Sequence, residues 1–334
     1  MTKPTLPSSL INTLTSHSGP INALTFSSLG GTYILTGSSD RQVHLSRTEP
    51  STSTTTAPQP SRPIQKYAAH GYPILDIAVS ADNQTFASVG GDRSVFLWDV
   101  QNNEGTSRRF GSNTSQGHTS RITCVAFAGE GDSVLVSGSD DTSVRMWDVK
   151  SRDGRPLMVL EEAKDGVSAL VVPDAGYEVI AGSIDGRVRA YDIRTGKVTV
   201  DVMPGAVTSL ETSRDGKTLL VGCLDGRIRM MDRSDGTCLR EFPPEGEAGY
   251  RNDSLRLKSC FGKNGGLVLS GSESDGDVRA WDVLSGNKIG SVQLSSTGKV
   301  ISVVKWREGS QAQGRQSLWA GGGADGTVKI YADG

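Results

Sequence analysis

Cysteine is scarce in this chain: four in 334 residues. Cys124, Cys223, Cys238 and Cys260 form no CxxC pair, and Cys124 and Cys223 fall inside runs that read as strands. A disulfide framework is not expected, and a reducing compartment fits. Long apolar runs are missing. None approaches the roughly 18 residues that span a bilayer, and the opening MTKPTLPSSL has no signal-peptide core. The Asn-X-Ser/Thr triplets at Asn83, Asn113 and Asn252 are therefore read as chance matches. Excess charge of either sign is absent too: 35 Lys and Arg face 37 Asp and Glu, for a net charge of -2 and a pI near 6.1. That excludes a strongly basic nucleic-acid or membrane-surface binder, and any RNA contact should be peripheral. No GxSxG elbow and no HExxH helix occurs. Neither a catalytic centre nor a metal nor a cofactor is expected.

What the chain does have is glycine, 41 residues of it, and a repeat. Val134 to Val149, VLVSGSDDTSVRMWDV, holds two short apolar runs around a polar turn, the pattern of a tight hairpin. Related stretches carry turn aspartates at Asp40, Asp92, Asp141, Asp185, Asp225, Asp275 and Asp325, spaced 40 to 52 residues apart. Three positions after each stands an aliphatic residue: Val43, Val95, Val144, Val188, Ile228, Val278 and Val328. A unit of roughly 40–45 residues, four strands long and ending in Trp-Asp, is the signature of a WD40 blade.

Seven copies predict an all-β, seven-bladed propeller filling residues 1–334 as one domain, because a blade cannot bury both faces alone. Ser9 to Thr15 reads as a spare strand before the first hairpin. The last blade has only three candidates: Val300 to Trp306, Leu318 to Gly321 and Thr327 to Tyr331. Residues 9–15 are expected to fill the vacancy and close the ring, which also removes exposed sheet edges. Two stretches, 47–63 and 101–117, are polar and expected to be flexible insertions.

The histidines invite a catalytic or metal reading. His17, His70 and His118 each precede an aliphatic strand start by four residues, so they occupy equivalent points of three different blades and should be too far apart to share a metal. In the WD40 family, which this sequence resembles, such a histidine bonds the turn aspartate, with a Ser or Thr of the second strand and the Trp of the third. The resemblance implies His70, Ser88, Asp92 and Trp98 in blade 2, and His118, Ser137, Asp141 and Trp147 in blade 3. Blade 1 keeps His17, Thr36 and Asp40 but has Ser46 where the Trp would stand. Gly216-Lys217-Thr218 looks like the end of a phosphate-binding loop, but Glu211 stands where that motif needs glycine, and the context is a hairpin. Arg41, Arg93, Arg187 and Arg227 follow the turns, and Arg189 and Arg229 lie on the next strands. They either pair with neighbouring acids or form a partly basic rim that steers acidic partners.

More specifically, HGYPILDIAVSADNQTFASVGGDRSVFLWDV, EEAKDGVSALVV and AGSIDGRVRAYDIRTGKV resemble one WD40 family, the mitogen-activated protein kinase organizers. The resemblance implies a non-enzymatic platform for proteins. It would serve as a component of the spliceosome or as a scaffold of the kinase cascade, monomeric within a larger complex, in nucleus and cytoplasm. It implies no compact binding motif. Non-repeated residues on the face that holds the aspartates and histidines are the candidates for recognition. They are Tyr72, Arg121, Asp140, Lys164, Asp165, Ile184, Arg187, Leu224 and Arg227. A different class, the substrate receptor of a cullin-RING ubiquitin ligase, is suggested by Tyr191-Asp192-Ile193-Arg194 and, more loosely, Trp147-Asp148-Val149-Lys150, which resemble an adaptor-binding box.

Overall fold

The computed structural model describes residues 5–28, 30–49, 61–102, 105–112, 116–151, 153–173, 177–243, 249–309 and 314–332. They form seven four-stranded antiparallel sheets, with no α-helix among them. Blade 3 shows the plan, with strands Ile122–Ala128, Val134–Ser139, Val144–Asp148 and Met158–Leu160 in sequential order from the axis outwards. The innermost strands of successive blades touch one another, and those of the last and first blades, Ile301–Arg307 and Ile21–Phe26, also meet. The result is a closed ring, a seven-bladed propeller around an axial channel.

Closure works by strand exchange. Ser9–Leu14 lies outermost in the last blade, antiparallel to Val328–Ala332, with Ser9 opposite Ala332 and Leu14 opposite Val328. Leu14, Ile330 and Val328 are buried together with Ile21 and Ile34 of blade 1, so the seam is also a core.

Each sheet is packed between its two neighbours, so both of its faces carry core. In each sheet the second strand is buried along nearly its whole length, as in the buried run Leu135 to Ser139. Apolar clusters form between neighbouring blades, not within them: Ala87, Val95 and Phe110 of blade 2 pack on Ile122, Leu135 and Trp147 of blade 3. Trp98, Trp147, Trp281 and Trp319 are fully buried. Burial of such a side chain stabilises by roughly 2–3 kcal/mol.

A glycine near the end of the second strand sets how close the next blade can come. A Cβ on Gly37 would stand 2.8 Å from Ile74 Cγ2, on Gly182 2.4 Å from Val207 Cγ1, and on Gly322 2.9 Å from Ile21 Cγ2. The contacted aliphatics open the inner strand of the following blade, so only glycine lets the backbones approach there.

Two expectations need revision. The stretch 101–117 is not merely a polar connection: Arg108–Phe110 pairs with Val95–Asp99 as the fourth strand of blade 2. Phe110 is 1 % exposed and faces Trp147 at 6.2 Å between ring centres, while the Arg109 guanidinium lies 4.3 Å from the Phe96 ring centre. A three-residue strand with one apolar side chain leaves almost no periodic trace. In 47–63, Arg47 still belongs to the third strand of blade 1, and residues 50–60 lie outside the described residues.

Candidate interaction face

The histidine-bearing loops and the aspartate turns share one face, and hydrogen bonds join them. In blade 3, His118 Nδ1 lies 2.9 Å from Asp141 Oδ2 and Nε2 lies 2.8 Å from Ser137 Oγ. Trp147 Nε1 donates to the same Ser137 oxygen at 2.8 Å. These partners define one relay: indole to hydroxyl, hydroxyl to Nε2, Nδ1–H to carboxylate. Blade 2 repeats it with His70–Asp92 at 2.5 Å, His70–Ser88 at 2.7 Å and Trp98–Ser88 at 2.8 Å. Burial lowers the His118 pKa, and the Asp141 hydrogen bond offsets this only in part, so the imidazole stays neutral. Burial pushes the Asp141 carboxyl the other way, but His118, Ser143 and the Thr119 amide outweigh it and hold the group well below the usual carboxylate range.

Blade 1 has His17 between Asp40 and Thr36, each at 2.8 Å. Ser46 takes the tryptophan position, and its buried hydroxyl finds no hydrogen-bond partner among the described residues. His44, which the sequence reading passed over, stacks on His17 with ring centres 3.8 Å apart, as Phe96 packs on His70 in blade 2 at 3.9 Å. Burial and the neighbouring His17 lower the His44 pKa to about 3. His17, Asp40 and His44 bring potential metal-ligating atoms within 4.8 Å of one another. All four ring nitrogens already have protein partners, however: Asp40, Thr36, Ser16 and Gln42. A metal would have to displace them, so the trio reads as packing.

Blades 4 to 6 lack the histidine and satisfy the turn aspartate with an arginine four residues on. Arg189 Nη2 lies 2.6 Å from Asp185, Arg229 Nη2 lies 2.7 Å from Asp225, and Arg279 pairs with Asp275. All three arginines are buried. Burial alone would raise the Asp185 pKa, yet Arg189 and Ser183 hold it well below its ordinary value. These residues belong to the fold and not to a basic rim. Blade 6 adds a second replacement. Tyr250 donates or accepts through its hydroxyl to Ser270 Oγ at 3.0 Å, and its ring stands edge-on to Trp281 at 5.4 Å. It takes the histidine's place against the second-strand hydroxyl while Arg279 holds Asp275, and an altered loop length hid it in the sequence.

The recognition candidates are divided by the structure. Tyr72 and Ile184 are exposed, at 59% and 41%. Lys164 and Asp165 are exposed as well, although the Lys164 amide donates to Asp185. Arg121 pairs with Asp140 on the surface, and Ile184 Cδ1 approaches Gly166 beside Asp140, so these three residues lie close together across blades 3 and 4. Arg187 leans on Asp185 at 3.8 Å, Arg227 donates to the Pro243 carbonyl, and Leu224 is half-buried. Arg41 and Arg93 remain exposed.

No sequence signal marked the channel. Lys258 Nζ reaches from blade 6 across to Asp76 Oδ1 of blade 2 at 2.5 Å, and Lys305 Nζ reaches Glu211 Oε2 at 2.5 Å. Burial would lower the Lys305 pKa, but Glu211 more than reverses it, so the lysine stays charged. Gly216-Lys217-Thr218, by contrast, sits in the hairpin between Val207–Thr212 and Thr218–Cys223, with Gly216 at φ 69, as a tight turn requires.

Comparison with known proteins agrees with this geometry. The family described as "WD domain, G-beta repeat" matches residues 8–45, 61–99, 111–148 and 198–232. The first window opens on the strand that closes the last blade. Along 283 residues, 85% of this chain and 82% of the relative, the sequence is 37% identical to WD repeat domain-containing protein 83 of Mus musculus. The chain belongs to the WD repeat domain-containing protein 83 family. The member from Xenopus tropicalis is 35% identical over 286 residues, 86% of this chain and 83% of that protein. The WD repeat domain-containing protein 83 homolog of Dictyostelium discoideum is 27% identical over 319 residues, 87% of this chain and 90% of the relative. WD40 propellers of this kind are in general protein-interaction scaffolds, and the WD repeat domain-containing protein 83 family shares that architecture.

Proposed function

We propose that this protein is a non-enzymatic scaffold in a pre-mRNA splicing assembly, with or without a second role in a mitogen-activated protein kinase cascade, in nucleus and cytoplasm. The observation that carries the reading is similarity to WD repeat domain-containing protein 83 along most of the ring. A closed propeller with mixed apolar and charged side chains on one face suits the task, because a rigid surface loses little entropy on binding. Two of the channel's lysines, Lys258 and Lys305, are tied to Asp76 and Glu211 as ion pairs, and this supports binding over turnover. Affinity purification from nuclear extract, with and without nuclease, tests the proposal. Splicing factors that survive nuclease treatment are the expected result, and signalling kinases alone would overturn the ranking.

The ubiquitin-ligase reading keeps one supporting observation: Arg194, at the end of its box-like tetrapeptide, is exposed. Under that reading Arg194→Ala abolishes capture of the ligase adaptor. Retention of the adaptor by the variant removes its support.

A further inference from the structure

The channel opens on the aspartate face through a cavity of about 480 Å³. Its position is fixed by Ser39 and Ala324, which directly precede the turn residues Asp40 and Asp325. Most of the wall is apolar or neutral, including Leu75, Thr123, Leu255 and Val300. Two charged side chains line it, Arg256 and Lys258. Lys258 is neutralised by Asp76. Arg256 is not neutralised: its guanidinium crosses from blade 6 to the Ser168 carbonyl of blade 4, and no carboxylate among the described residues lies within ion-pair distance of it. Burial lowers its pKa, and the fields of Cys124, Asp140 and Asp76 offset this only in part. A half-buried cation with one neutral partner is an incomplete arrangement, since the low-dielectric walls strengthen its attraction for any anion that enters.

The rim is pre-set. Glu273 accepts hydrogen bonds from the Ser254 and Leu255 amides, at 2.9 and 2.6 Å. That fixes the loop and holds Leu255 outward, 47% exposed beside the opening. An aliphatic rim over a single uncompensated guanidinium defines the ligand's chemistry: one negative group with apolar neighbours. A polyanion is a poor fit, because among the described residues the opening offers one free cation, and the whole chain carries a net charge of -2.

We propose that this mouth takes an acidic side chain of an extended partner peptide, an aspartate or glutamate with aliphatic neighbours, whose carboxylate pairs with Arg256 while a neighbour lies on Leu255 and Leu75. The inference rests on the scaffold reading and names the chemistry of one partner segment. The carboxylate can form the parallel two-bond pairing that guanidinium groups favour.

Fluorescence anisotropy with the full chain tests it. The probes are a labelled peptide with a central Leu-Asp-Leu, the same peptide with Leu-Asn-Leu, and a single-stranded oligouridine. The aspartate peptide should bind about tenfold more tightly than its asparagine twin. Arg256→Gln and the charge-keeping Arg256→Lys should shrink that ratio, while Leu255→Ser should weaken both peptides together. Equal binding of the two peptides, or binding of neither, overturns the proposal. So does an unchanged ratio in folded Arg256→Gln, or oligouridine binding tighter than the aspartate peptide. The wild-type comparison stands even where a variant misfolds. The scaffold reading fails separately, if purification of the wild-type chain returns no splicing factor.

Discussion

Blades 3 and 5 place the same aspartate in the same turn and satisfy it in opposite ways. In blade 3, Asp141 draws on His118 and the Thr119 amide from the preceding loop, then on Ser143 of its own strand. In blade 5, Asp225 draws on Arg229 and the Arg227 amide, both within its own hairpin. The first arrangement ties three chain segments and reaches the buried tryptophan through Ser137. The second is local, and Arg229 shares itself with Glu241 at 2.8 Å. The turn aspartate therefore demands a donor set, not a particular residue. In blades 4 to 6, which have no such histidine, an arginine four residues on takes over, a position that blade 3 also fills with Arg145 at 4.0 Å from Asp141.

The comparison is sharpest when both aspartates are removed. Asp141→Ala leaves His118, Ser143 and the Thr119 amide without their acceptor, and should destabilise by about 2–3 kcal/mol. Asp225→Ala should cost about 1 kcal/mol, since Arg229 retains Glu241 and the site is wetter. Urea denaturation midpoints measure both, and equal losses would erase the distinction between the blades. Tyr250→Phe probes the substitute in blade 6. Losing the buried hydroxyl's bond to Ser270 should lower stability by about 1 kcal/mol, whereas a neutral result would deny Tyr250 the histidine's role.

Acid should weaken blade 1 through His44. His44 is held neutral with a pKa of about 3, while an unfolded histidine takes its proton near 6.5. The unfolded chain thus binds the proton first, so this contribution is complete above pH 6.5 and declines as the pH falls towards 3. Between pH 7 and 5 the loss should be about 2 kcal/mol. Comparing midpoints at the two pH values for wild type and His44→Phe checks it, because blade 2 carries Phe96 at that position. Loss from depressed carboxylates such as Asp141 begins only near pH 4. The smallest effect is expected at Arg121→Ala. That pair with Asp140 is exposed on the arginine side, and its removal should shift stability by less than about 0.5 kcal/mol.

What could be foreseen follows from range. The turn aspartates, the histidine spacing and the strand left over at the start repeat at short, regular intervals, so they were visible in the letters alone. Arg189, Arg229 and Arg279 were visible as residues, but their partners were not, because a hairpin arginine can equally face outwards. Tyr250 was hidden because its loop departs from the repeat. Arg108–Phe110 offered a single apolar residue. The channel was least accessible of all: Asp76 and Lys258 are 182 positions apart, and nothing periodic links them. Arg256 stands out only once the ring is closed and its neighbours across the axis are known.

The pairing of Ser9–Leu14 with Val328–Ala332 also dictates a timetable for synthesis. Ser9–Leu14 must wait on the ribosome, unmatched, until Val328–Ala332 has emerged. Throughout that interval the nascent chain displays a free β-edge and the apolar side chains of Leu14 and Ile21. A shielding chaperone would therefore have its task concentrated at Ser9–Leu14.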